Sequence, residues 1–139
     1  MKLSHINNQG NSQMVDVSDK RVTKRNAKAK ATIKMQKETI QRIKDGGIKK
    51  GDVLSVSQIA GIMAAKNTSS LIPMCHPLPI SKINITFEIN EALNEIYIIS
   101  DVSVTANTGV EMEALTAVSI AALTIYDMCK GIDKTIEIT

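Results

Sequence analysis

The segment "SLIPMCHPLPI", residues 70–80, places a cysteine beside a histidine in a stretch that holds three prolines. Proline has no backbone N–H to donate and resists helix interiors, and it biases the preceding residue toward extended backbone. We therefore expect a stiff, extended loop that presents Cys75 and His76. Such a pair can act as metal ligands, as a nucleophile, as an acid–base group, or as ordinary packing.

Adjacent residues on an extended loop point their side chains apart, whereas structural zinc sites use ligands separated by two to four residues, usually in two pairs. The sequence has one other histidine, His5, so a zinc site is disfavoured and no metal is expected. No base accompanies Cys75 in the sequence, which favours a buried structural cysteine over a nucleophile. An imidazole on a rigid loop suits acid–base or anion-binding work, although a structural role for His76 stays open.

A long apolar segment near the C-terminus carries titratable groups at both ends. Thr108 and Glu111 have the spacing of a helix capping box, whereas Glu113 has no such duty. Asp127 and Lys130 are i, i+3 neighbours, which form either a plain surface pair or a partly buried pair with shifted pKa values. Glu113 and Asp127 are separated by about 21 Å along a helix axis. Both can serve one pocket only if an antiparallel copy of the helix comes from another subunit; otherwise one of them is structural.

Positive charge is concentrated in the first third of the chain. Residues 1–50 hold 13 Lys/Arg and four Asp/Glu, a net charge of +9, whereas the remaining residues hold four and ten, a net charge of −6. This asymmetry indicates an anionic partner, a surface that meets the acidic half of another copy, or merely a solvated polar face. In "KKGDV", residues 49–53, Asp52 is a natural helix N-cap, and Lys50 either faces a phosphate or is an ordinary exposed lysine.

The pattern of apolar residues predicts the elements that position these groups. Strict alternation over residues 26–36 predicts a strand with a basic face (Lys28, Lys30 and Lys34). Helices are predicted over 37–45, 53–66 and 109–130, and strands over 81–89, 95–105 and 134–139. The expected apolar face of the second helix consists of Val53, Val56, Ile59, Ala60 and Met63. The order β-α-α-β-β-α-β predicts a single α+β domain, residues 1–139, with a ferredoxin-like antiparallel sheet, helices on one face and one extra helix.

Composition narrows the class of protein. We expect no membrane span, because no run of about 18 apolar residues occurs, and no secretory signal, because the N-terminus lacks an apolar core. Two cysteines suit a reducing cytoplasm, and three aromatic residues are few for stacking on single-stranded nucleic acid. The last helix is apolar nearly all round its middle, so a second packing partner is implied, which favours an oligomer.

Four stretches, "MVDVSDK", "KGDV", "AGIMAAKNTSSLIPMCHPLPI" and "TGVEMEALTAVSIAALTIYDMCK", resemble the molybdenum-cofactor biosynthesis protein C family (MoaC), the cyclic pyranopterin monophosphate synthases. The resemblance runs from about His5 to Thr139. It implies a ferredoxin-like subunit and a hexamer built as a trimer of dimers, with active sites at the dimer interface. The implied reaction converts a cyclised dihydro-GTP into cyclic pyranopterin monophosphate with release of pyrophosphate, with no cofactor, nucleic acid or membrane as partner.

The resemblance also implies roles for individual residues. Asp127 matches the active-site aspartate of the family, with Lys130 beside it. The segments Met74-Cys75-His76 and Met112-Glu113 match its substrate-binding segments. Basic residues around the substrate are implied at Lys50, Arg25 and Lys66. We expect proton transfer and charge stabilisation from Asp127, Lys50, Lys130 and His76.

Two features depart from the family pattern. Its members continue past the last strand into a Lys-Ser-Gly-Gly-Lys-Ser-Gly-like tail whose lysine helps at the active site, and the present sequence stops at Thr139 before such a tail. Asn107 stands where a lysine is common. At the other end, residues 1–12 are expected to be flexible.

Two rival interpretations remain. A non-enzymatic binding module would grip a polyanion with the basic strand face, and its affinity would fall steeply with salt. That module explains the basic third of the chain but neither "PMCHP" nor "EMEALT". A purely structural oligomer explains the apolar helix but leaves Lys50, His76 and Asp127 without a function.

Overall fold

The computed structural model describes residues 4, 6–16, 18 and 21–139. His5 lies outside the described residues, as does part of the segment expected to be flexible, so that expectation stays a prediction. Within residues 6–16, Asn7 organises a short turn by accepting hydrogen bonds from the backbone N–H groups of Gln9 and Asn11.

The predicted alternation is confirmed in strand β1, Thr23–Lys34, which begins three residues earlier than expected. Ala31 and Ile33 are buried on one side, while the lysines of the strand are exposed on the other. Strands β2 (Ile80–Asn90), β3 (Glu95–Ala106) and β4 (Glu137–Ile138) complete the sheet. β4 is shorter than predicted because Asp133 accepts hydrogen bonds from both the N–H and the hydroxyl of Thr135, which holds residues 133–135 in a turn.

The sheet order is β2-β3-β1-β4 and every pair is antiparallel. β1 and β3 pair over their full length, with Ile33 opposite Ile96 and Lys28 opposite Asp101. This register places Ile96, Ile98 and Val102 on the helix-covered face, where all three are fully buried. The ferredoxin-like α+β fold predicted from the element order is confirmed.

The described part of the chain contains four helices: α1 (Lys37–Asp45), α2 (Val53–Lys66), α3 (Thr68–Leu71) and α4 (Glu111–Cys129). The bounds of α1 and α2 match the prediction. Gly46 ends α1 with a φ of 73°, and the Asp52 carboxylate caps α2 by accepting from the Ser55 N–H. The short α3 was not predicted, because it depends on a tertiary position where the buried Thr68 hydroxyl donates to the carbonyls of Ala64 and Ala65.

The apolar face predicted for α2 is confirmed at Val53 and wrong at Val56, Ile59 and Met63. The buried side consists of Val53, Ser57, Gly61, Ala64 and Ala65, whereas Val56, Ile59 and Met63 are exposed. Close packing explains the difference, because a Cβ at Gly61 would lie 3.0 Å from the Ala117 carbonyl oxygen and 3.3 Å from the Ala121 Cβ of α4. Small residues therefore occupy the inner side and let the helices approach, and the larger apolar side chains point outward.

α4 forms the centre of the core and packs against both the sheet and α2. It is long and apolar enough to suit a membrane span by length and composition, with a mean hydropathy of 1.3, but 56 % of that window is buried within the fold. The second packing partner implied by the sequence is in part α2 of the same chain. Leu115 and Leu123 nevertheless remain about half exposed on its outer side.

The predicted capping box at the start of α4 is wrong. The helix begins at Glu111 and its N-cap position is Val110, and among the described residues no side chain forms a capping hydrogen bond from that position. Val110 is 1 % exposed and packs with Val102, Val104 and Ala114, so apolar packing fixes this helix start.

Asp133 ties the segment after α4 to the start of α1. Its side chain is 2 % exposed and accepts four hydrogen bonds, two from Thr135 and one each from the Gln36 N–H and the Thr39 hydroxyl. Burial opposes ionisation, but these hydrogen bonds outweigh it and lower the pKa of Asp133 to about 2.

Candidate active site

A pocket of about 230 Å³ lies at the N-terminal end of α4; we call it the N-terminal pocket. It forms where the proline-rich loop meets the start of the helix and the N-terminal segment. Its lining comprises Ser4, Val15, Met74, Cys75, His76, Leu78, Thr108, Gly109, Glu111, Met112 and Glu113. Two segments distant in sequence, residues 74–76 and 112–113, therefore form one wall.

The proline-rich loop opens with a turn and then continues without regular structure. The Cys75 N–H donates to the Ile72 carbonyl, which closes the turn, and residues 75–79 carry no regular structure before β2. His76 is half-buried here and faces the N-terminal segment. Hydrogen bonds from Ser18 lower the pKa of Asp16, and the nearby His76 adds a smaller contribution. The predicted loop is confirmed over residues 72–79, whereas Ser70 and Leu71 belong to α3 and Ile80 begins β2; that the loop is stiff and extended stays a prediction.

Acidic groups dominate the N-terminal pocket. Glu113 is 4 % exposed, and this burial raises the pKa of its carboxyl. The neighbouring Glu111 carboxylate raises that pKa further. Partial burial of Cys75, followed by the charges of Glu113 and Glu111, raises the pKa of the Cys75 thiol. Cys75 is therefore a protonated thiol near neutral pH, and Glu113 is the carboxyl here best able to hold a proton.

Gly109 lies beside these acids. The Glu111 carboxylate folds back over Gly109, so a Cβ at Gly109 would collide with the Glu111 Oε2 atom. Glu111 is exposed, and it also lines the N-terminal pocket.

A second pocket, of about 400 Å³, lies at the other end of the same helix; we call it the C-terminal pocket. The turn after α1 and the segment after α4 form its walls. Its lining comprises Arg42, Gly47, Ile48, Lys49, Lys50, Met128, Lys130, Gly131, Ile132 and Lys134. Half of these residues are cationic and none is acidic, so the C-terminal pocket is electrostatically the opposite of the N-terminal one.

Asp127 adjoins the C-terminal pocket and is flanked by two lysines. The Lys130 Nζ atom lies 2.6 Å from Asp127 Oδ1, and the Lys50 Nζ atom lies 3.7 Å from Oδ2. Lys50 also donates to the backbone carbonyl of Asp127 at 2.9 Å, which satisfies one of the last carbonyls of α4. Lys50 thus has a structural role as well as a position beside the carboxylate.

The lysines keep Asp127 ionised. The Lys130 hydrogen bond and charge, followed by the Lys50 charge, lower the pKa of Asp127, and Asp127 in turn raises the pKa of Lys130. All three side chains are about half exposed: 52 % for Lys50, 57 % for Asp127 and 49 % for Lys130. In the single chain, this cluster is therefore open to solvent.

The structure divides the residues expected at one site into two groups. Met74, Cys75, His76, Met112 and Glu113 line the N-terminal pocket, while Lys50 and Lys130 line the C-terminal pocket beside Asp127. Arg25 and Lys66 line neither. Arg25 lies opposite Val104 in the sheet, and its buried Nε atom has no hydrogen-bond partner among the described residues. Lys66 is exposed at the end of α2.

Four charged pocket residues were not anticipated as site residues: Glu111, Arg42, Lys49 and Lys134. Glu111 was assigned to a helix cap. The excess of Lys/Arg in residues 1–50 was the signal for Arg42 and Lys49, but it did not show which cations would gather. Lys134 carried no signal, because Arg42 and Lys49, the cations that accompany it, belong to a segment more than eighty residues earlier.

Within residues 4, 6–16, 18 and 21–139, no three His, Cys, Asp or Glu side chains lie together as a metal site would require. Cys75 and Cys129 are both free thiols. Burial, together with the charge of Asp133, raises the pKa of Cys129 to about 11.

Fold and pockets together define a ferredoxin-like α+β protein that carries an acidic pocket and a basic pocket at opposite ends of one helix. The chain belongs to the MoaC family, whose sequence profile matches residues 14–139.

Relatives in three bacteria share this sequence over nearly its whole length, and each is named cyclic pyranopterin monophosphate synthase. The chain is 58 % identical to the protein of Syntrophomonas wolfei over 139 residues, which cover 100 % of this chain and 88 % of that protein. It is 60 % identical to the protein of Clostridium perfringens (strain 13 / Type A) over 137 residues, 99 % of this chain and 87 % of that one. It is 58 % identical to the protein of Listeria monocytogenes (strain HCC23) over 136 residues, 98 % and 84 % of the two chains.

Proposed function

We propose that this chain is a cyclic pyranopterin monophosphate synthase, a lyase of molybdenum cofactor biosynthesis. It converts the cyclised dihydro-GTP intermediate, 3',8-cyclo-7,8-dihydroguanosine 5'-triphosphate, into cyclic pyranopterin monophosphate and pyrophosphate. Family membership supports the reaction. The observation that carries the assignment of the site is that Met74-Cys75-His76 and Met112-Glu113, far apart in sequence, meet in one pocket.

The two pockets suit complementary parts of this reaction. A substrate that rearranges its ring system needs groups that give and accept protons, and Glu113 and His76 are positioned for that role in the N-terminal pocket. A substrate that loses pyrophosphate needs cations where negative charge develops, and Lys50 and Lys130 supply them. Asp127 is ionised between these lysines, so it acts as a proton acceptor or as a fixed negative charge.

We propose that a second copy of the chain completes the site. Glu113 and Asp127 belong to one unbroken helix, with about 21 Å between them along its axis, so one substrate cannot reach both in one subunit. In an antiparallel pair, the acidic N-terminal pocket of one subunit would face the basic C-terminal pocket of its partner. That arrangement would also cover the half-exposed Asp127 cluster.

Exposed apolar side chains support such an interface. Val56, Ile59 and Met63 on α2 and Leu115 and Leu123 on α4 are each more than 40 % exposed. Large apolar residues exposed together commonly mark a protein–protein contact. We extend the proposal to a hexamer, a trimer of such dimers, in a reducing cytoplasm, and to a substrate contact for Arg25 and Lys66.

The rival polyanion-binding module is less well supported. By register, the predicted basic strand face pairs Lys28 with Asp101 and places Lys34 between Glu95 and Glu137. Lys30 stacks over the Tyr97 ring with 4.0 Å to its centre. Because each lysine faces an acid or an aromatic ring, this face carries mixed charge and lacks the uniform positive potential that a polyanion requires.

The test is conversion of the cyclised dihydro-GTP by the purified chain, followed by mass spectrometry of the pterin product and by release of pyrophosphate. Asp127→Asn should lose turnover. Glu91→Gln is the matched control, because Glu91 is a 60 % exposed carboxylate that also pairs with a lysine, Lys44, but lies outside both pockets.

Turnover that Asp127→Asn loses and Glu91→Gln keeps would support the synthase. Neither turnover nor binding of the intermediate by the unaltered chain would refute it and favour the binding module. Equal turnover by the two variants would refute the assignment of Asp127.

A further inference from the structure

The C-terminal pocket holds more positive charge than Asp127 can neutralise. Lys50 and Lys130 already contact that carboxylate. Arg42, Lys49 and Lys134 line the same pocket, and across the part of the chain that the structure describes none of the three forms an ion pair. We call these three residues the cationic rim.

The cationic rim is built on two segments that are fixed relative to each other. Arg42 and Lys49 belong to the end of α1 and the turn after it, and Lys134 belongs to the segment after α4. Asp133, the immediate neighbour of Lys134, is buried and bonded to the Gln36 N–H and the Thr39 hydroxyl at the start of α1. The backbone that carries Lys134 is therefore anchored to the helix that carries Arg42.

The chemistry of the pocket selects a multiply charged anion. Lysine and arginine donate charge-assisted hydrogen bonds to phosphate oxygens, and no carboxylate in the lining competes for them. A volume of about 400 Å³ admits more than a single phosphate group. Gly47 and Gly131 carry no side chains, which leaves room along the walls.

We propose that the cationic rim binds the two terminal phosphates of the substrate and retains them as the leaving pyrophosphate. This proposal rests on the proposed function. It adds Arg42, Lys49 and Lys134 to the substrate contacts, and it separates phosphate binding from the Lys50–Asp127–Lys130 cluster.

The rim would act on a balanced displacement at phosphorus. A hydroxyl oxygen of the substrate forms a bond to the α-phosphorus, and the bond from the α-phosphorus to the oxygen bridging it to the β-phosphorus breaks. The pyrophosphate leaves with that electron pair, and the hydroxyl proton passes to a base of the site. Cations held against the β- and γ-phosphates stabilise the charge that accumulates there.

The test measures binding of inorganic pyrophosphate to the full chain by titration calorimetry, which needs no turnover. The variants are Arg42→Ala/Lys134→Ala and a charge-matched control, Lys28→Ala/Lys34→Ala, on the outer face of the sheet. Orthophosphate is titrated in parallel. Circular dichroism and the oligomeric state confirm that each variant is folded.

We expect the rim variant to bind pyrophosphate at least about tenfold more weakly than the unaltered chain, because each substitution removes a cation and its charge-assisted contact with the ligand. The control should stay within about twofold, because long-range effects of exposed charges are screened by salt. Pyrophosphate should bind more tightly than orthophosphate.

Absence of pyrophosphate binding to the unaltered chain, or equal binding by the rim variant, would overturn the proposal. The outcome stays separable from the proposed function. Rim-dependent pyrophosphate binding without turnover would retain the rim as a polyphosphate site and reject the synthase. Turnover with an unchanged KM in the rim variant would retain the synthase and reject the rim.

Discussion

Replacing Asp133 with Asn should destabilise the fold strongly, although the two side chains have nearly the same shape. Each carboxylate oxygen of Asp133 accepts two hydrogen bonds in a site that is 2 % exposed. The Asn amide keeps one of the two acceptor oxygens and replaces the other with an NH₂ group. That NH₂ group would face the N–H and O–H donors that now bond the carboxylate. A buried donor left without an acceptor costs about 1–3 kcal/mol.

The lowered pKa gives an independent magnitude. A pKa of about 2 in the folded chain, against an ordinary value of 3.8, corresponds to about 2 kcal/mol of folding free energy at neutral pH. Because the folded pKa is the lower one, this stabilisation is present above the unfolded pKa. It is lost as the pH falls from about 4 toward about 2.

Urea unfolding at a fixed protein concentration, over a series of pH values, measures both effects. At neutral pH, Asp133→Asn should lower the free energy of unfolding by about 2–3 kcal/mol. Below about pH 4 the gap between variant and unaltered chain should narrow, because only the unaltered chain loses the carboxylate contribution. Subtraction removes the contributions of the other acids, which both proteins share.

Asp52→Asn is the matched control. Asp52 caps α2 from an exposed position, and asparagine is an equally good N-cap, so its effect should stay below about 0.5 kcal/mol. A gap between Asp133→Asn and the unaltered chain that does not change with pH would refute the electrostatic reasoning. A change under about 0.5 kcal/mol at neutral pH would refute the whole account.

Three further predictions concern packing and catalysis. Gly61→Ala should lower the free energy of unfolding by about 1–3 kcal/mol in a urea titration, because the added methyl meets Ile85 and the α4 backbone; unchanged stability would show that the helices separate freely. Lys50→Met should reduce turnover and shift the acidic limb of the pH–rate profile to higher pH, because one of the two charges that lower the pKa of Asp127 is lost. An unshifted limb would mean that the ionisation of Asp127 does not control it. Cys75→Ser should keep most of the turnover, because burial raises the pKa of the thiol and disfavours a thiolate nucleophile. Abolished turnover in a folded variant would instead indicate that Cys75 is a nucleophile.

Local physical signals predicted much of the fold. The alternation in β1, the Asp52 cap and Gly46 each depend on residues close in sequence, and the structure confirms the elements they mark. The inner face of α2 was mispredicted because hydrophobicity alone favours large residues. The decisive quantity is the distance between helices at Gly61, which only the assembled structure reveals.

The site shows the same division. The three prolines predicted the loop at Cys75–His76, and the i, i+3 spacing on a helix predicted the pairing of Asp127 with Lys130. Arg42 and Lys134 gave no such signal, since a pocket that joins the turn after α1 to the segment after α4 is a property of tertiary packing. Whether each residue acts as expected stays a prediction.

The unbroken course of α4 between Glu113 and Asp127 restricts how this helix can change length. One inserted residue would rotate one end by about 100° relative to the other and turn a pocket away from its partner. In the proposed antiparallel pair, both copies would carry the insertion. The two helices would therefore still match in length, but their pockets would no longer face each other. Seven inserted residues, about two turns, would nearly restore the angle and lengthen both helices together. Rotational phase, and not length, is thus the quantity that α4 must conserve.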